Sequence, residues 1–234
     1  MKKIIAGNFK MNKTLKECED YLKLIKKYKV PKDKKVIVCP PVFAVNSFSG
    51  IKNISVGAQN VATSENGAYT GEISASQLKS LKTDYCLVGH SERRNYFNES
   101  DNDVNTKAKM LETYNIMPII CIGEKLEEIS KKKYILKNQI KGSCKDLNGE
   151  FIVAYEPVWA IGTGKTCELN DIEKTHKYIK EVLFSLTGKD IKVLYGGSVK
   201  PDNASIILGL DVVDGVLVGG ACLDFSKFSK IIES

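Results

Sequence analysis

Short runs rich in β-branched and apolar residues recur along the chain at residues 4–9, 35–39, 54–58, 85–89, 116–121, 151–155, 191–195 and 213–218. Runs of this length and character suit strands buried on both faces. Between most of them, apolar residues return at helical spacing: Leu15, Cys18, Leu22 and Ile25 share one face, as do Ile172, Ile179, Leu183 and Leu186. Local signals mark helix ends. Ser74 with Gln77 and Asn170 with Glu173 have capping-box spacing, Pro201 suits a first helical turn, and Gly209 suits a C-terminal cap. Apolar strands joined by crossover helices form a parallel sheet. Eight such units with no Pro/Gly/Ser-rich linker predict one closed (β/α)8 barrel, a single α/β domain over residues 1–234. A two-domain doubly wound protein is the alternative, and the lack of GxGxxG after the first strand counts against its dinucleotide-binding form.

Composition narrows the function. No stretch approaches the roughly 20 apolar residues of a membrane span, and Met1-Lys2-Lys3 leads into a strand-like run rather than a signal core. A cytoplasmic protein without a membrane role is expected. The seven cysteines include no CxxC pair and several sit in apolar runs, as reduced core thiols do. With only His90 and His176 beside them, a metal site is not expected. The net charge of +7 comes mostly from lysines scattered over helical segments, Lys131-Lys132-Lys133 being the densest run. Without interleaved aromatic residues this reads as solvated helix faces rather than a nucleic-acid surface. A positive field also suits a small anionic substrate.

In a closed parallel barrel, chemistry belongs at the C-terminal ends of the strands. Asn8 and Lys10 close the first run, His90 the fourth and Glu156 the sixth, and glycine-rich turns follow the seventh and eighth. Glu156, beside Pro157, Val158 and Trp159, is either a salt-bridged strand-end glutamate or a base whose pKa rises on desolvation; the following IGTGKT favours the base. His90 precedes Ser91-Glu92-Arg93-Arg94, a segment that can open a helical turn whose positive end would keep the imidazole neutral. Lys10 can stabilise a developing oxyanion, and Asn8 either donates to that oxygen or caps a turn. His176, on the apolar helix face, reads as a hydrogen-bonded histidine at the core edge. Gly162 and Gly164, Gly197 with Ser198, and Gly219 with Gly220 offer unobstructed backbone amides for a phosphate. GTGKT is not a nucleotide P-loop, because GxxxxGK would need glycine where Trp159 stands.

GNFKMN at 7–12, NGAYTGEIS at 66–74, GHSERR at 89–94, CIGE at 121–124, AYEPVWAIGTGK at 154–165, YGGSV at 195–199 and GVLVGGA at 215–221 together resemble the triosephosphate isomerase family over essentially the whole chain. The resemblance implies a TIM barrel that interconverts dihydroxyacetone phosphate and D-glyceraldehyde 3-phosphate through an enediolate, in glycolysis and gluconeogenesis, with no cofactor. It further implies Glu156 as the base, neutral His90 as the proton donor to the substrate oxygens, and Lys10 and Asn8 as stabilisers of negative charge. Glu92 would hold Lys10, and backbone near Gly162, Ser198, Gly219 and Gly220 would hold the phosphate. A lid would comprise Pro157, Val158, Trp159, Ala160, Ile161, Gly162, Thr163, Gly164, Lys165, Thr166 and Cys167. The loop carrying Tyr69, Thr70 and Gly71 would enter a neighbouring subunit, giving a homodimer, with a tetramer as the larger alternative.

Three residues depart from the family pattern: Phe9 replaces a usual tryptophan, Cys167 an alanine at the far lid hinge, and Cys222 a serine after the last glycines. None removes a proposed catalytic group. A non-catalytic phosphate-binding barrel and a basic nucleic-acid binder are the competing functional classes.

Overall fold

A computed structural model describes residues 2–161 and 167–234. Strands β1 (Lys3–Asn8), β2 (Lys34–Cys39), β3 (Ile54–Ala58), β4 (Tyr85–Val88), β5 (Met117–Ile122), β6 (Ile152–Tyr155), β7 (Lys192–Tyr195) and β8 (Gly215–Val218) pair in chain order. All pairs are parallel, and β1 against β8 closes the barrel. Around it lie α1 (Leu15–Ile25), α2 (Val45–Phe48), α3 (Ala75–Ser80), α4 (Ser91–Tyr96), α5 (Asp101–Thr113), α6 (Lys132–Ser143), α7 (Leu169–Thr187), α8 (Ala204–Leu208) and α9 (Phe225–Glu233). Strand positions differ from the sequence expectation by at most two residues at either end.

The strands are mostly apolar because they bury two faces, with lysines only at the starts of β1, β2 and β7. Inward side chains such as Ile37, Leu87, Ile119 and Leu194 fill the barrel, while neighbours such as Val36, Val88, Ile120 and Val193 pack under the helices. The filled interior leaves the strand ends as the place for a cavity. Phe9, fully buried just beyond β1, meets Tyr21 of α1 and Phe48 of α2 edge-on at 4.9 and 6.0 Å. Phe9 thus joins the end of β1 to α1 and α2 through an aromatic cluster.

The Ser74 capping box forms as expected, and Gly209 caps α8. Two helix starts differ. Glu168 precedes α7 without a side-chain cap, placing Asn170 inside the helix, and α8 begins at Ala204 because Pro201 belongs to a turn closed by the N–H groups of Asn203 and Ala204 on the Lys200 carbonyl. Leu15 and Leu186 stand on terminal turns, are 52% and 38% exposed, and so miss the core that their faces predicted.

Candidate active site

Glu156 begins where β6 ends. Its amide donates to Ile122 at 2.7 Å, extending the β5–β6 ladder one step and fixing the direction of the side chain. This close approach needs glycine at 123, where a Cβ would fall 1.7 Å from the Glu156 carbonyl oxygen. The carboxylate is buried with both oxygens engaged: Oε1 lies 2.9 Å from His90 Nε2, and Oε2 accepts the Ser91 N–H at 2.9 Å.

Gly89 turns the chain from β4 into α4 at φ +68°, a conformation that glycine adopts without strain. His90 then caps α4, its Nδ1 accepting the Glu92 N–H at 3.2 Å. With Nδ1 occupied by a donor, the ring's proton sits on Nε2 and points at Glu156. Burial disfavours a charged imidazole and the Glu156 carboxylate favours one, leaving His90 above its ordinary value. The Glu92 N–H on Nδ1 opposes a second ring proton, whereas the Glu156 and Glu92 carboxylates favour one, so this conformation does not by itself supply the neutrality expected of His90. For Glu156, burial favours the protonated acid, but His90, the Ser91 N–H and Lys10 together hold it below the ordinary glutamate value. The rise expected from desolvation is therefore outweighed by these partners in this conformation.

Lys10 has φ +53°, a left-handed backbone that costs a non-glycine residue on the order of 1–3 kcal/mol. Neighbours hold it there. Its N–H donates to Asn8 Oδ1 at 2.9 Å, its carbonyl accepts Gln59 Nε2 at 3.0 Å, and Nζ meets Glu92 Oε1 at 2.6 Å. Asn8 thus both caps this turn and lines the cavity.

One cavity of about 690 Å³ is bordered by Asn8, Lys10, His90 and Glu156 together with Gly197, Ser198, Gly219 and Gly220. An ionised carboxylate, an imidazole N–H and an ammonium thus face one space beside backbone stretches with little side-chain obstruction. That set can remove a proton next to a carbonyl, donate to the resulting oxyanion and hold an anionic tail. Among the described residues no group of His, Cys, Asp or Glu is arranged to hold a metal ion.

The near part of the expected lid is a short turn, Val158–Ala160, in which Trp159 Nε1 donates to Glu124 Oε1 at 3.1 Å. At the far end the Cys167 thiol donates to Asp171 Oδ2 at 3.1 Å, and Asp171 also pairs with Lys132 at 2.6 Å. Gly162, Thr163, Gly164, Lys165 and Thr166 lie outside the described residues. Tyr69, Thr70 and Gly71 are exposed on a loop away from the barrel strands, and Met11, Tyr96 and Phe97 are also exposed. Cys222 is buried with its thiol 3.4 Å from the Asn8 carbonyl.

His176 differs from its expected setting. It is fully buried against Tyr155 and Tyr195, at ring separations of 5.9 and 6.2 Å, and neither nitrogen has a hydrogen-bond partner among the described residues. Burial pulls its pKa down to about 3, with the nearby Val212 backbone acting weakly the other way. The helix face predicted burial but carried no information about partners. Sequence reasoning also missed Ser91, Gln59 and Glu124. The last had a signal, since CIGE ends β5 with a carboxylate much as AYE ends β6.

The family profile described as triosephosphate isomerase matches residues 3–234. A curated triosephosphate isomerase of Alkaliphilus metalliredigens is 42% identical over 245 aligned positions, covering 99% of each chain. That of Clostridium botulinum strain Loch Maree is 45% identical over 98% of each. The enzyme of Prochlorococcus marinus subsp. pastoris is 41% identical, again over 98% of each. A closed parallel barrel, a carboxylate, histidine and lysine around one cavity, and near-complete alignment with named isomerases agree: the chain belongs to the triosephosphate isomerase family.

Proposed function

We propose that Glu156 is the base with which this isomerase interconverts dihydroxyacetone phosphate and D-glyceraldehyde 3-phosphate. The observation that carries the assignment is the 2.9 Å contact between its ionised carboxylate and His90 Nε2 in the cavity that Lys10 also lines. When substrate enters, its carbonyl oxygen replaces the Glu156 carboxylate as acceptor for His90 Nε2–H. The freed carboxylate takes a proton from the adjacent carbon, giving an enediolate whose negative charge faces Lys10 and Asn8. Neutral His90 donates to one oxygen and recovers a proton from the other, and Glu156 returns its proton to the neighbouring carbon. A glutamate base working with a neutral histidine is the established pattern of the triosephosphate isomerase family, and the scheme carries that pattern over to Glu156 and His90.

Glu92 positions Lys10 in this scheme. The amides of Ser198, Gly219 and Gly220, with Gly162 of the lid, hold the phosphate, and closure of residues 157–167 excludes water from the enediolate. All of this belongs to one domain spanning 1–234. We place the enzyme in the cytoplasm; no helix among the described residues is long and apolar enough to cross a membrane.

The assignment of the base is tested by Glu156→Gln, which keeps shape and removes basicity. kcat should fall by about 10²–10⁴, with inhibition by inorganic phosphate changing little. A verified variant with near-normal kcat would sink the role.

The working unit we propose is a homodimer, supported by the exposure of Met11, Tyr69, Tyr96 and Phe97 around the loops that carry Lys10 and Thr70. Thr70 then braces the partner's site. Deleting residues 67–71 should give monomers of much reduced activity in sedimentation and coupled assays, and an intact, fully active dimer would reject this.

A further inference from the structure

The catalytic cavity is more basic at its mouth than proton transfer at its floor requires. Besides the glycines that border the proposed phosphate position, its lining includes Lys200, Lys227 and Lys230, with Asp202 the carboxylate other than Glu156. Lys227 and Lys230 are three residues apart on α9 and share a face, while Lys200 follows β7. All three are exposed. Some lysines elsewhere are paired, as Lys16 and Lys23 are with Asp20, Lys132 with Asp171 and Lys180 with Asp214; what distinguishes Lys200, Lys227 and Lys230 is their place on one cavity. The mouth lysines have no carboxylate at ion-pair distance among the described residues, Asp202 included. The cavity's 690 Å³ lies in the range that accepts drug-sized ligands, well beyond the needs of a triose monophosphate.

Three exposed lysines lining the same cavity as the catalytic groups, none in a direct ion pair among the described residues although Asp224 lies within electrostatic reach of Lys227, form a second anion-binding arrangement there. We propose that Lys200, Lys227 and Lys230 constitute an outer subsite, and that the cavity takes small molecules bearing two phosphoryl groups, one at the glycine amides and the other on the lysines. Such a ligand occupies the substrate's phosphate position and competes with it. Joining two anionic groups in one molecule converts the second contact into an intramolecular one, so the outer lysines add affinity that a monophosphate cannot use. The proposal rests on the phosphate position assigned above.

The experiment compares inorganic phosphate with tripolyphosphate as inhibitors of triose-phosphate interconversion, at fixed ionic strength because exposed charges are screened by salt. Tripolyphosphate should inhibit competitively and at least about tenfold more tightly than phosphate, equivalent to about 1.4 kcal/mol. The combined Lys200→Gln, Lys227→Gln, Lys230→Gln variant should cut that advantage to less than about threefold while the phosphate constant changes much less. Combined Lys133→Gln, Lys137→Gln, Lys141→Gln on α6 removes the same formal charge away from this cavity and should retain the full advantage. Equal loss in both variants would assign the effect to net charge and overturn the subsite. So would a parent enzyme that binds tripolyphosphate no better than phosphate, or inhibition that substrate does not relieve. If phosphate itself fails to compete with substrate, the phosphate position falls, and the outer subsite with it.

Discussion

Two buried carboxylates stand at adjacent strand ends, and the protein treats them oppositely. Glu156 follows β6 and faces His90, the Ser91 N–H and Lys10, which hold its pKa below 4.5 although burial alone would raise it. Glu124 follows β5 and faces the Tyr155 hydroxyl and Trp159 indole, each at 3.1 Å. Burial dominates there, and the hydrogen bonds only partly offset a raised pKa. The difference lies in the partners: an ammonium and a polarisable imidazole in the first case, and in the second neutral donors with only the smaller, more distant pull of Lys132. Burial therefore does not decide the charge of a glutamate at this rim; the neighbours do. The same contrast separates chemistry from mounting, since Glu156 faces the cavity while Glu124 ties β6 to the near end of the lid.

The largest effect that bears on this contrast is the loss of kcat in Glu156→Gln. Next is Glu124→Ala, which takes the acceptor from Tyr155 and Trp159. It should cost roughly 2–4 kcal/mol, seen as a Tm lower by roughly 5–15 °C, while reducing kcat far less than Glu156→Gln. A larger kcat loss than that of Glu156→Gln would erase the distinction between chemistry and mounting.

A smaller, sharper test uses opposite pH dependences. Glu156 has a depressed folded pKa, so its contribution to stability is present above the ordinary value of 4.5 and is lost as pH falls through the folded value. Glu124 has a raised folded pKa; its contribution is present below 4.5 and is lost as pH rises through the folded value. Relative to the parent, Glu156→Gln should thus lose less Tm at about pH 3 than at about pH 6, and Glu124→Gln should fare better at about pH 6 than at about pH 4. Differential scanning calorimetry over that range reads both slopes, and parallel slopes would contradict the account.

The fold was legible because its strands have apolar residues on both faces, so runs such as 36–39 and 151–155 stand out without alternation. Motif order then placed Asn8, Lys10, His90 and Glu156 on one rim, where the cavity brings them together. What stayed hidden depends on distances between segments far apart in sequence. The Ser91 N–H donates to Glu156 across 65 residues of chain, and Gln59 donates to the Lys10 carbonyl across 49. The direction of the Glu156 shift was hidden for the same reason: its flanking Pro157, Val158 and Trp159 advertise burial, whereas the opposing charges come from β1 and β4. Lys200, Lys227 and Lys230 were lost among many surface lysines until the barrel closed one rim around them.

The most direct test is an infrared pH titration of the two glutamates, taking parent minus Glu156→Gln and parent minus Glu124→Gln difference spectra to isolate each carboxyl group. The account predicts that Glu156 shows carboxylate absorption from neutral pH down past 4.5, while Glu124 still shows protonated-acid absorption above 4.5. A protonated Glu156 at neutral pH, or the two groups titrating together, would contradict the claim that their partners set their charge.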